Sequence, residues 1–302
     1  MQYRKLFLLV LITGFFLNGR AQSLQKIPAG FWVTCGDDKA MIIDPANVRN
    51  NASGIVWQWE NSEAKDLPSI YRKLLKPLDD CKPVDNGTKL LLTSSGGATL
   101  LVAVATKQVL FYARTPMAHS AALLPGGYIA VANSTHPEGN SIEIYHIDHS
   151  EKVICKDTLY SGHGVVWNEK RKLLYVLGFD ELRAYTFNPK AKGKELVKTA
   201  HWKLPASGGH DLSVVDEDQL LVSAHGHVWL FMIPPAQFTP FEQLAELRDV
   251  KSVNYNGTTK QLVYTKAEES WWTFNIYSRN PDQQLHIPGT RLYKVRVAGW
   301  GK

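Results

Sequence analysis

Four stretches decide the fold: HSAALLPGGYIAVANSTHPEGNSIEIYHID (residues 119–148), HGVVWNEKRKLLYVLGFDELRAYTFN (163–188), HDLSVVDEDQLLVSAHGHVWLFM (210–232) and KSVNYNGTTKQLVYTKAEESWWTFNIY (251–277). Their starts lie 44, 47 and 41 residues apart, and all four follow one grammar. A short apolar run leads to a polar or glycine-containing turn, such as Pro125-Gly126-Gly127 or Asn256-Gly257. A strongly β-prone run follows (128–132, 173–177, 220–224, 261–265), then a polar loop, then an alternating third strand. Self-similarity at this period marks a repeat architecture.

Two further units are placed upstream. Residues 81–84, 89–93, 99–104 and 109–114 read as four strands, and 31–35, 39–44 and 55–59 as three. Helical pattern is nearly absent, except for an insertion at about 62–77, where Leu67, Ile70, Tyr71, Leu74 and Leu75 share a helical face that Pro68 interrupts early. Four-stranded cassettes without helices predict an all-β fold, a β-propeller. At about 45 residues per blade the count is six. Seven blades would need a hidden unit near 62–80, and a β-sandwich is the other alternative, though its strands seldom recur as matched cassettes. The final apolar stretch, RLYKVRV (291–297), either closes the last blade or supplies the innermost strand of the first. The closure reading is preferred.

The first 21 residues read as a secretory signal peptide: Arg4 and Lys5, then a twelve-residue apolar core over 6–17, then small residues before a cut after Ala21. The core is too short to span a bilayer, and no later run approaches ~18 apolar residues. A secreted or periplasmic location and a single propeller domain over 22–302 are therefore expected. The formal net charge of +6 falls to +3 without the leader, whose Arg4, Lys5 and Arg20 leave 31 basic against 28 acidic residues. No block of five like charges exists, so a nucleic-acid partner has no electrostatic footing. Cys35, Cys81 and Cys155 allow at most one intrachain disulfide. A monomer is expected.

In a propeller, the starts of the innermost strands ring one mouth of the central channel. Here that ring holds His119, His163, His210 and Lys251, with Asp79 or Asp80 at the matching place. The loops between second and third strands open onto the same face and contribute Asp180, His225, Lys266, Glu268 and Glu269. Ligand binding is therefore assigned to His119, His163, His210, Lys251, Asp180, His225, Lys266, Glu268, Glu269 and Trp271. Neutral imidazoles suit zinc, manganese or iron, so His119, His163 and His210 are a candidate metal triad. Lys251, Glu268 and Glu269 are the candidate acids and bases. Against the triad stands a structural role for the histidines, because Gly162-His163 and Gly209-His210 resemble the Gly-His that opens repeats of WD-type propellers, with Asp180 placed as the turn aspartate. Paired carboxylates beside Trp271 and Trp272 suit sugar recognition, although adjacent strand residues point to opposite faces, so Glu268 and Glu269 cannot easily flank one bond.

No phosphate loop, no His-Glu-x-x-His and no Gly-x-Ser-x-Gly elbow occurs. The stretches beginning at His119 and His163, with GGHDLSVVDEDQLLV and KAEESWWTFNIYSRNP, resemble a family of secreted Bacteroides-type propeller proteins of unknown function, over about residues 24–297. That resemblance implies the fold and export and carries no activity. Similarity to propeller-type polysaccharide lyases, with channel-face histidines around a cation, is at the level of fold alone. The expected function is binding of a carbohydrate or related extracytoplasmic ligand. The alternatives are a metal-assisted lyase or lactone hydrolase acting on acidic sugars, and a protein-interaction platform.

Overall fold

A computed structural model describes residues 24–48 and 54–301; the expected leader lies outside them. The described residues form 24 strands. The first three are β1 (Trp32–Gly36), β2 (Lys39–Ile43) and β3 (Ile55–Glu60). Four complete blades follow: β4 (Leu78–Val84), β5 (Lys89–Ser94), β6 (Ala98–Ala103) and β7 (Val109–Arg114); β8 (Ala118–Leu124), β9 (Tyr128–Asn133), β10 (Ser141–His146) and β11 (Cys155–Thr158); β12 (Gly164–Asn168), β13 (Leu173–Leu177), β14 (Glu181–Phe187) and β15 (Leu196–Lys203); β16 (Asp211–Asp216), β17 (Gln219–Ser223), β18 (Val228–Met232) and β19 (Gln237–Pro240). Then come β20 (Val250–Tyr255), β21 (Leu262–Lys266), β22 (Asn275–Arg279) and β23 (Gln283–His286), and finally β24 (Leu292–Val297). They pair antiparallel into six four-stranded sheets. The innermost strands touch in the order β4, β8, β12, β16, β20, β24 and back to β4. The molecule is a six-bladed β-propeller.

The first sheet has the order β24-β1-β2-β3, so the last strand zips the ring shut, as the closure reading expected. Thr34 Oγ1 donates to Lys294 O at 2.9 Å, and Asp37 receives the backbone N–H and the guanidinium of Arg291 at 2.9, 3.1 and 2.7 Å.

Each second strand is sandwiched between neighbouring blades on both faces, which is why it reads as an unbroken apolar run. β5, β9, β13 and β17 are buried from their second residue onward. Outer strands alternate weakly; β15 is buried nowhere. Six apolar clusters fill the six blade junctions, and Trp57 and Trp59 share the one between the first two blades. The segment expected to be helical holds only a 3-10 turn at Asn61–Glu63 and one helical turn at Tyr71–Leu74. Leu67, Tyr71 and Leu75 pack into the same junction, so their spacing of four reflects burial in a compact loop. Cys35, Cys81 and Cys155 are free thiols. Among the described residues no helix is long and apolar enough to cross a membrane.

Candidate functional site

The innermost strands carry a recurring irregularity at one mouth of the channel. β4 slips against β5 between Leu78 and Asp80, β8 against β9 between Ala118 and Ser120, and β20 against β21 between Val250 and Ser252. In the closing strand, Tyr293 and Lys294 together oppose Cys35. A bulge of this kind inserts one unpaired residue and re-aims it. The inserted residues are Asp79, His119, Lys251 and Tyr293, and His163 and His210 stand immediately before β12 and β16. One residue per blade thus stands at this mouth, and His119, His163, His210, Lys251 and Asp79 are brought to the same end of the channel. Tyr293 was not foreseen, because its blade is completed from the far end of the chain.

Asp79, His119, His163, His210 and Tyr293 line a cavity of about 380 Å³ together with Ser95, Ser134, Phe179, His225, Trp271 and Trp272, while Lys251 is buried behind His210 with Nζ 2.9 Å from its Nε2. The rings run in an arc: Tyr293 to His119 at 5.9 Å between centroids, His119 to His163 at 4.4 Å, His163 to His210 at 5.8 Å, and His210 to His225 at 4.5 Å. Trp271 is 54 % exposed and closes the arc at 6.3 Å from His225. A larger groove of about 670 Å³ between the fifth and sixth blades, lined also by Gly299, Trp300 and Gly301, brings no buried acid, lysine or histidine together.

Below the rim the channel is sealed. With the bulge absorbed, the next inward-facing positions are Asp80, Asp211 and Lys294, then Lys82 and Arg296. Arg296 forks onto both acids: Nε and Nη2 to Asp80 at 2.7 and 2.8 Å, Nη1 and Nη2 to Asp211 at 2.9 and 2.6 Å. Lys294 Nζ lies 3.2 Å from Asp211 and donates to the carbonyls of His119 and His163 at 3.2 and 3.0 Å. Lys82 donates to Ser120 Oγ and Val165 O at 2.9 and 2.6 Å. Beneath this plug the opposite mouth is a separate, largely apolar cavity of about 270 Å³.

Burial sets the protonation of the rim. It lowers the His119 pKa to about 4, and it takes His163 well below the ordinary imidazole value, with the neighbouring His119 further disfavouring a second proton. It lowers His210 to about 2, assisted by Lys251 and His225. These rings are neutral at pH 7. His119 and His163 have Nδ1 2.9 Å from the carbonyls of Met117 and Ser161. A carbonyl only accepts, so the ring proton resides on Nδ1 and Nε2 is left as an acceptor. Burial raises Asp79 to about 7 despite the Ser95 N–H it accepts, and lowers Lys251 to about 8 against the pull of Asp249.

His119 and His163 bond through Nδ1 to carbonyls two residues earlier, His210 bonds through Nε2 to His225 and Lys251, and Asp180 is exposed and absent from the cavity lining, so Asp180 does not hold them as the turn aspartate of a WD-type blade would. Among the described residues, those whose donor atoms gather closely enough for one ion are His210, His225 and Asp249, all within 4.8 Å of one another. His210 Nε2 lies 3.0 Å from His225 Nδ1 and 2.9 Å from Lys251 Nζ, and His225 Nδ1 lies 3.3 Å from Asp249 Oδ1. Glu268 stands outside the cavity: its carboxylate takes Thr273 Oγ1, Asn275 Nδ2 and Tyr277 OH and anchors its own loop. Glu269 is exposed, and Lys266 lies over the Tyr277 ring at 5.0 Å. Trp272 packs on Tyr293 at 5.5 Å, leaving Trp271 as the free aromatic surface.

No curated protein is similar in sequence. Among solved structures, a protein of unknown function from Bacteroides caccae matches with a TM-score of 0.60 at 13 % identity, over 89 % of this chain and 98 % of that one; the likeness is one of fold. The model of a family of unknown function, DUF6528, matches residues 19–299, nearly the whole chain, and the chain belongs to that family.

Proposed function

We propose that the protein binds a carbohydrate or glycan fragment in the histidine-lined mouth, outside the cytoplasm. The observation that carries this reading is the pairing of an exposed aromatic platform, Trp271, with a recessed polar floor. Sugars present an apolar ring face and a rim of hydroxyls. An indole face meets the first, and the Nε2 acceptors of neutral His119 and His163 and the Asp79 carboxyl meet the second. A cavity of about 380 Å³ lies within the range of small-ligand sites, roughly 300–1,000 Å³, and the salt-bridge plug makes it blind-ended. The leader-like sequence at 1–21 motivates the compartment, and a mature N-terminus at Gln22 is the expected result of sequencing the exported protein.

A glycan array followed by calorimetry tests the reading. Saturable binding is expected, weakened roughly tenfold by Trp271→Ala, the worth of one aromatic stacking surface, with an unchanged melting temperature. No binding of neutral or acidic sugars at millimolar concentration would dismiss it. Asp79 favours a second, catalytic reading: a buried carboxyl titrating near 7 in a cavity is suited to acid–base work on a uronic acid or lactone. Turnover abolished by Asp79→Asn with binding retained distinguishes the two.

A further inference from the structure

We infer that His210, His225 and Asp249 form a binding site for a divalent transition metal, of zinc type, on the rim of the mouth. The assignment goes beyond glycan binding and stands without it.

Three observations carry it. The first is spacing. Donor atoms on a tetrahedral zinc at 2.0–2.1 Å stand about 3.3 Å apart, and the edges here are 3.0 Å (His210 Nε2 to His225 Nδ1) and 3.3 Å (His225 Nδ1 to Asp249 Oδ1). The second is an imbalance of donors and acceptors. The carboxylate can only accept, and His210 Nε2, whether it carries the ring proton or a lone pair, has a single in-plane position, yet both His225 Nδ1 and Lys251 Nζ approach that atom within 3.0 Å. Only one of the two can use that position. A cation among the three donors accepts every lone pair at once. The third is how the ligands are held. His225 O accepts the Asp249 N–H at 3.0 Å, and His210 N–H donates to Ser223 O at 2.8 Å, so the backbones of the three ligands are fixed by hydrogen bonds. The His225 ring fills a space that exists only because residue 208 is glycine: at its φ of +78°, a Cβ would stand 1.8 Å from His225 Cδ2.

His210 is buried at 4 % exposure, while the His225 and Asp249 side chains are each 44 % exposed. An ion can therefore enter from the cavity and keep open positions toward it, as ligand-binding metal sites with three protein donors do. Two imidazoles and one carboxylate suit zinc, manganese or ferrous iron. Lys251, 3.7 Å from Asp249 Oδ1, supplies the positive charge in the metal-free protein. Its Nζ also lies 4.9 Å from the Trp271 ring, the direction in which it would withdraw.

The experiment titrates chelator-treated full-length protein with Zn²⁺ alone by calorimetry and with Co²⁺ by visible absorption, without sugar. One saturable site per chain and cobalt ligand-field bands are expected. His225→Ala and Asp249→Ala should each weaken binding by more than about tenfold. His163→Ala should leave it unchanged, and Lys251→Met, which removes the competing ammonium, should tighten it; circular dichroism checks that each variant is folded. No saturable binding in either the wild type or Lys251→Met overturns the assignment. So does binding that survives both ligand substitutions, or that is lost with His163.

Discussion

Arg296→Met tests the plug on which the mouth rests. The substitution keeps an unbranched apolar stem in a position only 5 % exposed and removes four charge-assisted hydrogen bonds to Asp80 and Asp211. Summed one by one these would overstate the loss, since Lys82 and Lys294 remain beside the orphaned carboxylates. Breaking a buried ion pair from one side costs about 3–5 kcal/mol, and in a chain of this size that lowers the melting temperature by about 6–15 °C. The pH dependence gives the reasoning a sign. In the wild type, burial pushes both carboxyls up, but Arg296 with Lys82 and Lys294 outweighs it at Asp80, and Arg296 with Lys294 at Asp211, so both stay below the ordinary value. Their stabilisation is complete above an unfolded pKa of about 4 and is lost only as pH falls through the lower, folded values. Without Arg296 burial dominates and the folded pKa values rise, so the variant loses stability as pH rises through them. Urea denaturation at pH 7.5 and pH 5 should therefore show a gap between wild type and variant that narrows at the lower pH. Lys107→Met, which removes a surface pair with Glu63, serves as the control with no measurable effect. A loss below about 1 kcal/mol, or a gap independent of pH, refutes the view that this network is an electrostatic keystone.

Asp79, raised by burial to about 7, binds more protons folded than unfolded between about pH 4 and 7, so stability falls across that window and levels off above it; Asp79→Asn should flatten this limb in melts recorded from pH 4 to 8. Gly208→Ala forces a side chain into a positive-φ position 1.8 Å from the His225 ring; a destabilisation of about 1–3 kcal/mol and a shifted His225 imidazole resonance are expected, and an unchanged spectrum would show that the ring has other room. Truncation before Leu292 removes β24 with both Lys294 and Arg296, and the product should lack a cooperative melt.

Much of the fold was legible because propeller packing writes itself into each repeat. A second strand covered on both faces needs a continuous apolar run, and LLYVL or YIAVA supplies it without regard to blade. The rim was legible for the same reason: His119, His163, His210 and Lys251 recur at one place in the cassette. What stayed hidden was long-range. Tyr293 belongs beside His119, but the strand carrying it pairs with a segment 260 residues away. Comparing Leu292-Tyr293-Lys294-Val295 with Val250-Lys251-Ser252-Val253 would have found it. Asp249 reads as a polar turn residue, and only its positive φ of 53° and the return of β20 bring it to His225. Glu268 misled for the opposite reason: a carboxylate beside two tryptophans looks available, yet three neighbours within nine residues use all of it.

The closing strand carries a consequence for the order of synthesis. Asp80 and Asp211 precede in the chain the two cations paired with them most closely, Arg296 with both and Lys294 with Asp211, which sit on β24, the last of the described strands. Until that strand arrives, a partial ring would have to bury two acids facing each other across the axis, so premature compaction is penalised by its own interior. Sealing the circle and balancing its charge are one event. That coupling predicts that a chain lacking β24 stays open.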